Sequence, residues 1–162
     1  MKLETRADIH VVLELYSTVL YRIAYNYTNN RSDAEDIGQE VFLKLIDKNP
    51  DFENEEARKA WLIRVTMNRC ISLLRSPWRR RMTLGIDVLP LPSKTHSNED
   101  VENLTIALKA LEPRDRVIID LYYYEGYSTS EIAKILECKH GAIRSRMSRA
   151  RKKLKETLVR LE

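Results

Sequence analysis

The sequence predicts an all-α protein of two small helical domains joined by a flexible linker, the second domain built around a helix-turn-helix. Three observations carry that expectation. Apolar residues recur at spacings of three and four through most of the chain, the period of a helix with one buried face. Glycine and proline are scarce, 4 and 5 in 162 residues, so few positions break a helix. Several of them fall in one stretch, 83–100, with Gly85, Pro90, Pro92 and a Ser-Lys-Thr-His-Ser-Asn run, the composition of a tether. The expected domains are 1–82 and 101–162. Fully extended, the linker would reach at most about 60 Å.

The first helix is expected over about Asp8 to Tyr27, with Val12, Leu15, Val19, Ile23 and Tyr27 inward. Asn29, Asn30 and Arg31 break it. Ser32 with Glu35 reads as a capping box that opens a second helix to about Asp47, with Ile37, Val41, Leu45 and Ile46 as its core stripe. Asn49-Pro50 ends that helix, because the residue before proline avoids the helical region. After a polar loop, a third helix runs from about Ala57 to Arg75, with Trp61, Val65, Asn68 and Ser72 roughly aligned, and Ser76-Pro77 stops it. Helices resume from about Glu99 to Leu111. Pro113 then starts another to about Tyr124, which Gly126 ends.

The last third is the most informative part. Ser128 and Glu131 form a capping box, and Ile132, Ile135 and Leu136 make the buried stripe of the helix that follows. Ala133 has the small side chain needed where two helices cross closely. Ile143, ten residues on, is the apolar plug of the second helix. From Lys139 to Lys155 there is no acid, whereas Lys139, Arg144, Arg146, Arg149, Arg151, Lys152, Lys153 and Lys155 are cationic. A helix of that charge after a helix-turn-helix turn is the footprint of a major-groove reader.

The net charge of +4 is unevenly spread. Arg64, Arg69, Arg75, Arg79, Arg80 and Arg81 lie in an acid-free stretch, while the residues from Asp33 to Glu56 are rich in acids. Such alternation predicts two kinds of partner surface, one of them a polyanion. Cys70 and Cys138 are far apart and lack metal-ligand spacing, so they read as reduced packing thiols of a cytosolic protein. Glu14, Arg22 and Asn26 interrupt the most apolar run, so no membrane insertion is expected. With no metal cluster, no carboxylate pair flanked by histidine and no phosphate-cradling glycine loop, neither enzyme activity nor a cofactor or metal is expected.

Three further segments carry a family resemblance. Asp33-Ala34-Glu35-Asp36-Ile37-Gly38-Gln39-Glu40-Val41-Phe42-Leu43-Lys44-Leu45 resembles the polymerase-binding segment of region two in extracytoplasmic-function sigma factors. Ala60-Trp61-Leu62-Ile63-Arg64-Val65-Thr66-Met67-Asn68-Arg69 is similar to that family's promoter-melting helix. Leu111-Glu112-Pro113-Arg114-Asp115-Arg116, together with the helix-turn-helix, resembles region four. Glu137 departs from the pattern, standing where the turn often holds glycine. Lys139 and Ala142 depart at the reading end of the helix.

The resemblance implies a subunit that directs core RNA polymerase to promoter DNA and makes no chemical bond itself. It implies core-polymerase contacts from Asp33, Asp36, Gln39, Glu40 and Phe42, an acid-and-aromatic outer face. It implies minus-ten contacts from Trp61, Arg64, Asn68, Arg69, Arg75, Arg79 and Arg80. For Trp61 a core-anchor role competes, and for Asn68 a capped polar group inside the domain. Lys139, His140, Arg144, Ser145 and Arg146 would read the minus-thirty-five element, with Arg149 on a phosphate. The implied regulatory partner is an anti-sigma factor, often membrane-linked, which would clamp both basic surfaces of an otherwise monomeric protein. The competing reading is a helix-turn-helix regulator that is not a polymerase subunit. It calls for a receiver or ligand-binding domain before the helix-turn-helix, and the N-terminal half has no alternating strand pattern.

Overall fold

The computed structural model describes residues 1–76 and 98–162. All regular structure among the described residues is helical, and the chain divides into two compact units, Met1–Asp87 and Val88–Glu162. The expected linker lies outside the described residues except for its last three positions, which open a helix.

The first unit packs three helices on one another: α1 (Arg6–Thr28), α2 (Arg31–Lys48) and α3 (Glu55–Arg75). Leu20 and Ile23 of α1, Ile37 and Leu45 of α2, and Leu62 and Ile63 of α3 are fully buried between them. Each such side chain contributes about 1.5–3 kcal/mol through the surface it removes from water. The ends follow local rules. Thr5 and Asp8 cap α1 reciprocally, and the amides that Asp8 accepts from hold its carboxyl below the usual range. Asn29 and Asn49 end α1 and α2 in the left-handed region, which asparagine tolerates. The second cap differs from expectation. Asn30 caps α2 by accepting from Asp33 N, and Ser32 already lies inside the helix.

The buried stripes are also shifted. Leu15 and Ile46 are exposed, and Tyr16 and Phe42 are buried instead. The core line of α3 is Arg58, Leu62, Ile63, Thr66, Met67 and Cys70, so the aligned set Trp61, Val65, Asn68 and Ser72 lies off it. Arg58 is, with Asp33, a buried charge of this unit. Its guanidinium pairs with Glu55, donates to the Met1 carbonyl at 2.9 Å and lies 5.6 Å from the Phe52 ring centroid. It thereby anchors the loop between α2 and α3.

The second unit contains α4 (Asn98–Lys109), α5 (Pro113–Tyr123), α6 (Thr129–Ile135) and α7 (His140–Leu161), and α7 packs on the other three. Arg116 donates to the carbonyls of Leu111 and Lys109 and ties the α4–α5 connection. Gly126, at φ 77°, supplies the left-handed turn after α5. The Ser128–Glu131 capping box forms as read from sequence, and the Ser128 amide holds the Glu131 carboxyl below its ordinary range. Ile132 and Ile143 are fully buried and Ala133 is buried at the crossing.

The turn between α6 and α7 has a specific geometry. Cys138 N donates to Ala133 O at 2.9 Å and Glu137 N to Lys134 O at 3.3 Å, the two bonds of a Schellman stop. The residue at its centre must be left-handed, and Glu137 occupies it at φ 53°. A side chain there carries a steric penalty that glycine escapes. Glu137→Gly is therefore expected to stabilise this unit by about 0.5–1 kcal/mol. Thermal unfolding checks it, and an unchanged or lowered midpoint would contradict it.

Candidate functional site

The exposed face of α7 is the first candidate surface. Ile143, Met147 and Ala150 bury one side of the helix against the unit. At about 100° per residue, Ser145 and Lys152 point away from that side, with Ser148 and Arg149 on either flank of them. Lys139, His140, Arg144, Ser145 and Arg149 are all exposed. Lys139 occupies the N-cap without a side-chain cap, and its carbonyl accepts from Ala142 N and Ile143 N, so the exposed start of α7 presents the partial positive charge of the helix end. His140 Nε2 and Thr129 Oγ1 share a hydrogen bond of 2.8 Å, which joins the starts of the two helices of the motif.

Arg146 does not join this face. Its guanidinium lies 2.7 Å from Asp115 Oδ1 and 3.8 Å from Glu112 Oε2, both at the start of α5. Its side chain is 30% exposed and that of Asp115 only 16%. Expected as a base reader, Arg146 is a pin between α5 and α7. Three residues past Ile143, it lies on the flank turned toward α5.

The second candidate surface is on α2. Asp36, Gln39 and Glu40 are exposed as expected. Asp33 and Phe42 are not, at 7% and 9% exposure, and both belong to the interior of the first unit. Phe42 lies about 120° around the helix from Asp36, too far to share its face. Leu43, 65% exposed and four residues after Gln39, lies on that face, and Ile46, 42% exposed and seven residues after Gln39, lies at its edge. Sequence reading passed over Leu43 because it adjoins a larger aromatic.

On α3, Asn68 and Arg75 are exposed and Trp61 and Arg64 half-buried. Trp61 meets Phe52 edge to face at 5.7 Å, which gives it a packing role. Asn68, Ile71, Ser72, Arg75 and Ser76 line an open concavity of about 420 Å³. Arg69 forms a two-pronged ion pair with Glu40, its second nitrogen 3.3 Å from Oε1. That hydrogen bond raises the pKa of the guanidinium and links the α2 face to the α3 face. Arg79 and Arg80 lie outside the described residues.

Burial pushes the Cys70 thiol up to about 12, so it is no thiolate nucleophile at neutral pH. Among the described residues no group of three or more His, Cys, Asp or Glu could hold a metal ion. Among them, too, no helix is long and apolar enough to cross a membrane.

A helical unit with an acid-and-leucine face, followed by a helix-turn-helix unit with a basic face, has the layout of a two-part DNA-binding protein. Comparison with known proteins narrows the class. Residues 12–80 match Sigma-70 region 2 and residues 102–154 match Sigma-70, region 4. The chain is 32% identical over 162 residues to the ECF RNA polymerase sigma factor SigL of Mycobacterium tuberculosis, covering 96% of this chain and 91% of that protein. It is 32% identical over 149 residues to the ECF RNA polymerase sigma factor SigE of Mycolicibacterium smegmatis, covering 87% of this chain and 58% of that longer protein. Among solved structures it is similar to the sigma factor RpoE of Bartonella quintana in complex with the anti-sigma factor NepR, with TM-score 0.77, 30% identity, and coverage of 93% of this chain and 96% of that one. CnrH, solved with the cytosolic domain of CnrY, shares the fold at TM-score 0.68 and 22% identity, over 95% of this chain and 89% of that one. The chain belongs to the extracytoplasmic-function family of RNA polymerase sigma factors.

Proposed function

We propose that this chain binds core RNA polymerase through the exposed face of α2 and directs it to promoters, acting in the cytoplasm and catalysing no reaction itself. The observation that carries this reading is the succession of a region 2 match and a region 4 match over residues 12–80 and 102–154. Asp36, Gln39, Glu40 and Leu43 would form the docking face, an exposed leucine ringed by groups that pair with basic side chains. On α3, Arg64, Asn68 and Arg75 would meet the minus-ten element. Unstacking a base costs a few kcal/mol, which contacts to the extruded base offset. In the second unit, Lys139, His140, Arg144 and Ser145 would reach base edges of the minus-thirty-five element, and Arg149 a phosphate.

The similarity to RpoE solved with NepR supports an anti-sigma factor as the regulatory partner of this chain too. A protein clamping both units would cover both basic surfaces at once. The test is gel filtration of the purified chain with core polymerase. The two are expected to elute as one complex, and separate elution at micromolar concentrations would contradict the proposal.

A further inference from the structure

We propose that Tyr122 and Tyr123 are positioning residues that aim the Arg151 guanidinium at one backbone phosphate of duplex DNA. The inference rests on the reading of the second unit as a DNA binder. Arg144, Ser148 and Arg151 fall within about 60° of arc on one flank of α7. With Tyr122, Thr129 and Met147 they line an open concavity of about 320 Å³ between α5, α6 and α7. The lining side chains among the described residues include two arginines and two aliphatic hydroxyls and no carboxylate, the chemistry of an anion site. The concavity adjoins the His140 end of α7, where a duplex entering along that helix would bring its backbone.

Arg151 is already oriented there in the free protein. Its guanidinium carbon lies 5.1 Å from the Tyr122 ring centroid and 5.5 Å from that of Tyr123. Its Nε donates to the Tyr123 hydroxyl at 2.8 Å. The two rings meet edge to face at 4.9 Å and brace each other. An exposed arginine ordinarily loses rotamer freedom when it grips a phosphate. Here the tyrosines have removed that freedom in advance. They take the Nε–H and leave the terminal N–H groups, which can chelate two phosphate oxygens. Tyr123 is 62% exposed, so burial in the core does not account for its place.

The test titrates the full chain against a labelled mixed-sequence duplex by fluorescence anisotropy over a series of KCl concentrations. Arg151→Ala is expected to lower the salt slope by about one, the signature of one lost phosphate contact. Tyr122→Leu with Tyr123→Leu, Arg151 being intact, should bring most of the same loss in slope and affinity, and adding Arg151→Ala to the pair should then cost little more. Tyr122→Phe keeps the ring and should keep the wild-type slope. Circular dichroism verifies the fold, and the exposed Tyr123→Leu serves alone if the pair unfolds. The inference is overturned if the tyrosine variants keep the wild-type slope while Arg151→Ala lowers it, or if the losses add fully, because the tyrosines would then be only a staple between helices. It is equally overturned if Arg151→Ala leaves the slope alone. A wild-type chain that shows no salt-dependent duplex binding would sink the DNA reading and this inference together, whereas binding without tyrosine dependence sinks this inference only.

Discussion

Replacing Asp36 with lysine and Leu43 with glutamate is expected to weaken core-polymerase binding about a hundredfold or more. A charge-assisted hydrogen bond contributes about 1.5–3 kcal/mol and a leucine buried at an interface about as much again, and each 1.4 kcal/mol is tenfold in affinity. Both side chains are exposed, so the helical content and melting temperature should stay near wild type. Undiminished affinity in this variant would remove α2 as the docking face. Glu40 is a poorer probe, because reversing it would also unseat Arg69. Phe42→Ala should act differently again. Its side chain is interior, so the loss should appear as lower stability of the first unit and not as an affinity change in the folded protein.

The second large effect separates two arginines that are nearly adjacent in sequence. Arg144→Ala is expected to change which minus-thirty-five sequences are used, with a loss of about 1–3 kcal/mol at the base pair it reads. Arg146→Ala should instead lower the stability of the second unit by about 1–2 kcal/mol, since it leaves the mostly buried Asp115 without this partner. It should then weaken all promoters alike. Transcription from a library of minus-thirty-five sequences, together with thermal unfolding, distinguishes them. A shifted preference with Arg146→Ala and none with Arg144→Ala would reverse the assignment of the two faces of α7.

Much of this arrangement was legible in the residues. The Ser128–Glu131 box, the Ala133 crossing and the Ile143 plug are local or near-local features whose spacing alone predicts their geometry, and all three appear in the structure. Helix existence was legible for the same reason. What escaped was decided by tertiary contact. Apolar period shows that a helix has a buried side but not where its edge falls among adjacent apolar residues, so Leu15 and Ile46 were placed inside and Phe42 outside. Asn30 caps α2 although Ser32-x-x-Glu35 fits the commoner pattern, because Asn29 had already turned the chain. The pairing of Arg146 with Asp115 joins residues 31 positions apart, and Arg69 with Glu40 residues 29 apart. No spacing within one helix signals either pair, and both change how the candidate surfaces divide.

As a member of the sigma-factor family, this chain is expected to confer promoter choice on core polymerase. The direct measurement is transcript sequencing from a randomised promoter library with purified core polymerase, with and without the chain. Adding the chain is expected to yield transcripts from a restricted set of templates sharing one minus-ten and one minus-thirty-five motif, with the second motif dependent on Arg144. Identical transcript sets with and without the chain would contradict that expectation.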